Sequence, residues 1–269
     1  MEHERDRIGR IMVVYKNTPE PPVTLSSRDN KSRIVCHAFA RGCGGKVISY
    51  NGKNYYKRIA TYGIKRGTDQ AIKNSEEYWY IDNGYIGKID EHFRICHNSI
   101  IHNGRGDYPR DRFNQLDIKL KDWRKTGDHI VLCPASPRMN QFLGLEDQPG
   151  DWTERTIEEI QKFTDRKIVV STKFGDGIRI FSKIPSKHPF QEVIKNAWAV
   201  VTYNSSVIVK SVAMGVPVIS LSPERKIGSL SSIENPLMER GFLYSLAYNQ
   251  WSIQEIESGQ AWRELNERP

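Results

Sequence analysis

The chain has little of what would place it outside the ordinary folded proteins. No apolar stretch approaches the roughly 20 residues that a membrane span requires. The opening MEHERDRIGR is charged and has no apolar run of the kind found in a secretion signal. Cysteines are few: Cys36, Cys43, Cys96 and Cys133 are scattered and form no CxxC pair, so a disulfide framework is not expected. His97 and His102 lie close together without a second ligand pair, which leaves a four-ligand zinc site incomplete. The chain has no GxxxxGK[ST] phosphate loop, no internal repeat and no low-complexity segment. These absences point to a globular, cytoplasmic protein with no membrane span, no bound metal and no obligate protein partner.

Its 269 residues, 38% hydrophobic and 27% charged, suit one large or two small domains with buried cores. Charge divides unevenly between the halves. Residues 1–130 hold 24 Lys and Arg against 16 Asp and Glu, whereas residues 131–269 hold 16 of each. The net charge of +8 therefore belongs to the first half. Such an excess favours an anionic partner (nucleic acid, polyanionic glycan or membrane surface), the plain alternative being a surface charged for solubility.

Apolar runs and breakers alternate along both halves. Ile11–Tyr15, Val47–Tyr50, Ile59–Thr61 with Tyr62, and Tyr78–Ile81 read as strands, with helices over 33–42 and 68–75. In the second half, 129–134, 167–171, 197–202 and 216–220 read as strands, with helices over 151–163, 189–196 and 205–214. Asp151, with Glu154 three residues on, has the spacing of a capping box. Residues 252–266 read as one or two further helices. Strands alternating with helices at this interval predict an α/β fold, with parallel sheets covered by helices on both faces. The charged, turn-rich stretch 114–129 marks a join, giving units over 1–125 and 126–250 and a helical tail over 251–269.

Tyr203-Asn204-Ser205-Ser206 carries a buried strand into a helix, which leads through Gly215 and Pro217 into the next strand. Free N–H groups and hydroxyls at such a turn suit a phosphate, especially at the carboxyl end of a strand in an open α/β sheet. Simple helix capping is the bland alternative. Residues 197–220 (AWAVVTYNSSVIVKSVAMGVPVIS) resemble the donor-binding segment of GT-B glycosyltransferases, including families that act on surface polysaccharides and bacterial and phage relatives. The resemblance implies two Rossmann-like domains facing across a cleft in a compact GT-B arrangement. It also implies metal-independent transfer from a nucleotide sugar, usually UDP-linked, held by the second domain. Tyr203, Asn204, Ser205, Ser206 and Lys210 would be donor-binding, with Pro134 and Ser136 after the first strand of this half. Lys173 resembles the basic residue that meets the donor phosphate, where it would offset diphosphate charge. Lys210 departs from the pattern, because many such enzymes carry there a Glu that holds the ribose. Either the ribose is held otherwise or the donor is not the usual UDP-sugar.

The basic first half would hold the acceptor. Lys65 and Arg66, in Gly63-Ile64-Lys65-Arg66-Gly67, suit phosphate contact. The stretch 102–110 (HNGRGDYPR) is dense in donors and acceptors, with His102, Arg105 and Arg110 as binding candidates, although its composition also suits a plain turn. For the base that inverting transfer needs, Asp82 ranks first, Asp107 second and His97 third. Phage enzymes that glycosylate hydroxymethylated DNA bases share the implied architecture, which makes double-stranded DNA the favoured acceptor. Tyr55, Tyr56, Tyr62 and Tyr85 are then candidates to hold an extruded base. A surface polysaccharide or lipid-linked glycan is the alternative acceptor, and a non-catalytic nucleotide- or nucleic-acid-binding protein the alternative class.

Overall fold

The computed structural model describes residues 20–52, 54–65, 67–88, 90–146, 151–172 and 190–267. The strand expected at Ile11–Tyr15, and the site candidates Arg66 and Lys173, lie outside the described residues. The chain is α/β and carries two sheets. The first half contributes β1 (Val23–Ser26), α1 (Asn30–Cys43), β2 (Lys46–Ser49), β3 (Arg58–Tyr62), α2 (Thr68–Asn74), β4 (Glu77–Asn83), β5 (His92–His97) and α3 (Asp111–Asn114). The second contributes β6 (His129–Cys133), α4 (Pro137–Phe142), α5 (Trp152–Gln161), β7 (Lys167–Val170), α6 (Phe190–Val193), β8 (Ala197–Thr202), α7 (Val207–Ala213) and β9 (Val218–Ser220). After these come α8 (Phe242–Tyr248), β10 (Gln250–Ser252), α9 (Ile253–Glu257) and α10 (Gln260–Glu267).

The second sheet, ordered β7-β6-β8-β9, is parallel throughout. Its strands are buried on both faces and therefore read as continuous apolar runs. Val131, Val200 and Val218 pack against α7 and α8, while Ile130, Leu132 and Val201 pack against Trp152 and Ile160 of α5. Asp151 caps α5 as its spacing suggests, accepting from the Thr153 N–H at 2.7 Å and the Glu154 N–H at 3.3 Å. The reciprocal capping box belongs to Ser252 and Glu255 at the start of α9.

The first sheet, ordered β10-β5-β4-β3-β1-β2, corrects the expectation of parallel strands alone. β1 to β4 run parallel, but β5 is antiparallel to β4, and β10 is antiparallel to β5. The link from β4 to β5 is too short for a crossover helix, so the chain reverses instead. Gly84 makes that reversal possible, since a Cβ there would lie 2.9 Å from the His92 carbonyl. β1 escapes a reading by pattern because it has only four residues and follows Pro21 and Pro22, a signal for a turn.

The last segment does not stand apart as a helical tail. β10 completes the edge of the first sheet, and α9 and α10 cover the same face as α1. Gly42 allows that approach, because a Cβ there would lie 2.0 Å from the Ile256 carbonyl. Trp262 of α10 packs edge-on against Phe39 and tilts against Trp79. On the opposite face Leu25, Ile59, Tyr80 and Cys96 meet Met139 and Phe142 of α4, so the two halves share a core.

Gln250 joins these parts. It is fully buried, its Oε1 accepts from the Tyr85 and Ile86 N–H groups at 2.8 and 2.9 Å, and its Nε2 donates to the Ile86 carbonyl at 2.8 Å. Gln250→Leu keeps most of the volume but strands three buried backbone groups. Urea denaturation should show a loss of about 3 kcal/mol or more, at roughly 1–3 kcal/mol per unsatisfied group.

Candidate functional site

Each sheet has a point where the strand order reverses, and in open α/β sheets the crevice outside the carboxyl ends at such a point is where ligands bind. In the second sheet β6 is followed by β7 on one side and β8 on the other. The ends of β6 and β8 adjoin, with the Thr202 hydroxyl donating to the Cys133 carbonyl at 2.7 Å. Pro134 and Ser136 leave one of these ends, and Tyr203, Asn204, Ser205 and Ser206 leave the other. Six of the expected donor residues thus come from two adjoining strand ends.

Their side chains differ in what they have left to offer. Ser136 caps α4, accepting from the Met139 N–H at 3.4 Å. Ser205 accepts from the Val207 N–H at 3.4 Å, while its own N–H donates to Thr202 Oγ1 at 3.4 Å. Ser206 precedes α7, is exposed and makes no capping bond. Tyr203 lies edge-on to Trp152, and burial, assisted by the Glu224 charge, raises its hydroxyl pKa. Lys210 is exposed in the middle of α7.

The reversal in the first sheet lies between β1 and β3, and its loop is closed upon itself. Lys65 pairs with Asp29 and donates to Ser27 Oγ at 2.9 Å, so it is not a free phosphate contact. Asp29 caps α1 by accepting from the Ser32 N–H at 2.8 Å. Burial pushes the Asp29 carboxyl up, but hydrogen bonds from Lys65, Ser27 and Ser32 outweigh it and hold the pKa at about 2.

The three candidate bases stand in three different places. Asp82 accepts from Arg94 Nη2, the Tyr80 hydroxyl and the Asn83 N–H, each at 2.8 Å. It is the counter-charge of a buried guanidinium, with little capacity left to take a proton from substrate. His97 lies at the opposite end of the β4–β5 pair, stacked on Trp79 at 4.7 Å with Nε2 2.6 Å from Glu77 Oε1. Glu77 also accepts from Arg58; burial raises its pKa, and the Arg58 and His97 hydrogen bonds more than reverse this. His97, Glu77 and Arg58 thus form a brace at the sheet edge. Asp107 is exposed and enters no ion pair among the described residues.

Asp107 lines a cavity of about 530 Å³, as do Arg105 and Arg110. Lys226, Glu239 and Tyr244 line the same cavity. His102, expected as a contact residue, turns inward instead. Its Nε2 donates to the Ile95 carbonyl at 3.0 Å, and Nδ1 lies 3.1 Å from the Tyr85 hydroxyl and 3.4 Å from Cys96 Sγ. A carbonyl oxygen can only accept, so the ring proton belongs on Nε2 and Nδ1 accepts. Burial pushes both the Tyr85 hydroxyl and the Cys96 thiol up to about 12.

Arg225 completes this group and had no signal in the sequence, since arginine is mostly exposed. It is fully buried, donates from Nε to the His102 carbonyl at 2.6 Å and from Nη2 to the Tyr85 hydroxyl at 3.1 Å, and lies 5.0 Å above the Tyr85 ring. Lys226 could have been suspected from position alone, because the 221–227 turn follows the carboxyl end of β9. Among the described residues no helix is long and apolar enough to cross a membrane.

No family model and no curated protein sequence matches the chain. Among solved structures, it is similar to the β-Kdo 2,7 transferase KpsC of Thermosulfurimonas dismutans, at 14% identity and a TM-score of 0.49, over 92% of this chain and 100% of that one. It is also similar to aspartate transcarbamoylase from Trypanosoma cruzi, at 12% identity and a TM-score of 0.26, over 88% of this chain and 82% of that one. The functional reading therefore rests on the residues of this chain.

The depressed Asp29 pKa has a definite sign. Its stabilisation is present above the unfolded value of 3.8 and is lost as pH falls through about 2. Asp29→Asn should flatten the dependence of stability on pH between these values, measured by thermal melts across the acid range.

Proposed function

We propose that the chain is a glycosyltransferase that takes its sugar from a nucleotide donor seated at the adjoining ends of β6 and β8. One observation carries the reading: residues 197–220, which resemble a GT-B donor segment, end β8 at the strand-order reversal of a parallel sheet. The Asn204 amide and the Ser205 and Ser206 hydroxyls would donate to the diphosphate oxygens. Hydrogen bonds to a charged leaving group strengthen as the glycosidic bond breaks, and that difference is what accelerates transfer.

Of the three candidate bases, Asp107 suits the reaction best, because Asp82 and His97 are engaged with Arg94 and Glu77. In the proposed inverting step, an acceptor hydroxyl oxygen bonds to the anomeric carbon. The bond from that carbon to the nucleoside diphosphate breaks, with the electron pair leaving on the diphosphate. The hydroxyl proton passes to the Asp107 carboxylate.

A glycan hydroxyl is the acceptor we favour over a hydroxymethylated base in duplex DNA. Tracking a phosphate backbone takes a row of free cations. Among the described residues, eight cations of the first half, Lys31, Arg41, Lys57, Arg58, Lys65, Lys88, Arg94 and Arg112, are paired with carboxylates, and two that are not, Arg105 and Arg110, line a cavity together with Asp107. Among the tyrosines suited to an extruded base, Tyr62 and Tyr85 are buried and Tyr56 packs against the core, leaving Tyr55 exposed.

Two measurements test the proposal. Calorimetry should detect nucleoside diphosphates, and Asn204→Ala with Ser206→Ala should weaken them about tenfold or more, the scale of lost hydrogen bonds to a charged group. In a donor and acceptor screen read by mass spectrometry, Asp107→Asn should lower kcat by about 10²–10⁴ while nucleotide affinity holds. Nucleotide binding with no transfer to any acceptor would favour a binding protein. A sugar mass on hydroxymethylated nucleosides would restore DNA as acceptor.

A further inference from the structure

We infer that the cavity between residues 103–110 and the Lys226–Glu239–α8 wall is the acceptor seat, and that it selects an acceptor sugar carrying a carboxylate or phosphate. This deepens the glycosyltransferase reading and rests on it, because it names the chemistry of the second substrate.

The loop wall is held in shape before any ligand arrives. Ser245 Oγ donates to the Arg105 carbonyl at 3.0 Å, and the Arg105 N–H donates to Asn103 Oδ1 at 2.9 Å. Gly104 and Gly106 adopt φ of +73° and +101°, in the region that favours glycine. A Cβ on Gly104 would lie 3.1 Å from Phe242, and one on Gly106 would lie 2.7 Å from the Tyr108 ring. Tyr108 packs on Tyr248, whose hydroxyl donates to Asp111 at 2.6 Å. These contacts give the loop one shape, as a binding wall requires.

Its charge then sets the ligand. Arg105, Arg110 and Lys226 reach the cavity, and none has a carboxylate partner among the described residues. Arg110 lies 5.0 Å above the Tyr244 ring, an arrangement that leaves the edge of its guanidinium free for an anion.

Behind the lining sits Arg225, next in sequence to Lys226 and bonded to the residue before Asn103. Its Nη1 is buried without a hydrogen-bond partner, and Arg225 enters no ion pair, among the described residues. A buried charge without a counter-ion is costly, and an anion in the adjoining cavity would relieve it. Asp107 and Glu239 oppose an anion but accept from sugar hydroxyls, which a bare inorganic ion lacks. The volume of about 530 Å³ falls within the range of small-molecule sites and suits one or two sugar units.

The test uses the full chain and titrates three probes by calorimetry: a digalacturonate, glucose 6-phosphate and neutral cellobiose. At least one acidic probe should bind tenfold or more tightly than cellobiose, and the better of the two names the source of the anion. Arg105→Gln with Lys226→Gln, both at exposed positions, should weaken that probe tenfold or more while nucleoside diphosphate affinity stays within twofold. Equal affinity for acidic and neutral probes, or acidic binding indifferent to the two substitutions, overturns the inference. So does a parallel loss of nucleotide affinity, which would make the cavity part of the donor site. Acidic sugar binding without any nucleotide binding would uphold the anion seat and sink the glycosyltransferase reading. Nucleotide binding without acidic sugar binding would do the reverse.

Discussion

The Arg225 guanidinium is the constraint on which the architecture of the site turns. A charge with no exposure to water must find its hydrogen bonds inside the protein. Arg225 finds two of them on the His102 carbonyl and the Tyr85 hydroxyl and lies over the Tyr85 ring, while its Nη1 has none among the described residues. Those partners belong to the first half, whereas Arg225 follows β9 in the second. The contacts that dock one half on the other therefore also fix where the 103–110 loop begins. Tyr85 is shared again, since Arg94 lies 4.8 Å from its ring and Gln250 holds its backbone N–H. Tyr85 thus lies between two arginines, of which Arg94 is paired with Asp82 and Arg225 has no carboxylate partner among the described residues.

The two strand-order reversals differ in how far their polar side chains are paired. At the β1–β3 reversal, Lys65, Asp29, Ser27 and Thr68 satisfy one another, and the loop serves to cap α1 and begin α2. At the β6–β8 reversal, Ser206 and Asn204 retain polar groups without a bond to the rest of the described chain, while Ser136 and Ser205 hold their own turns. The same topology can carry a joint whose polar groups are closed on one another or one that leaves some of them unpaired, and side-chain pairing decides which.

Legibility in the sequence followed the range of the forces involved. β6, β7, β8 and β9 were read as strands because a strand buried on both faces is an uninterrupted apolar run. Asp151 was read as a cap because capping acts over three residues. β5 and β10 carry no such apolar run, since β5 alternates polar and apolar residues and β10 has only three residues. The pairing of Asp82 with Arg94 and of His97 with Glu77 was equally hidden, because antiparallel register joins positions 12 and 20 residues apart. The 102–110 loop was singled out by its composition, while its opposite wall at Lys226 and Glu239 was not.

Periodicity, caps and turn chemistry act within a few neighbouring residues, so the α/β class, the parallel second sheet and the loops richest in polar groups can be read along the chain. Which of those polar groups remain available depends on packing. Ion pairing and burial depend on residues far apart in the chain, and they turned Asp82, His97, His102 and Lys65 into structural contacts. The same long-range packing brings Arg105, Asp107 and Arg110 to one cavity with Lys226.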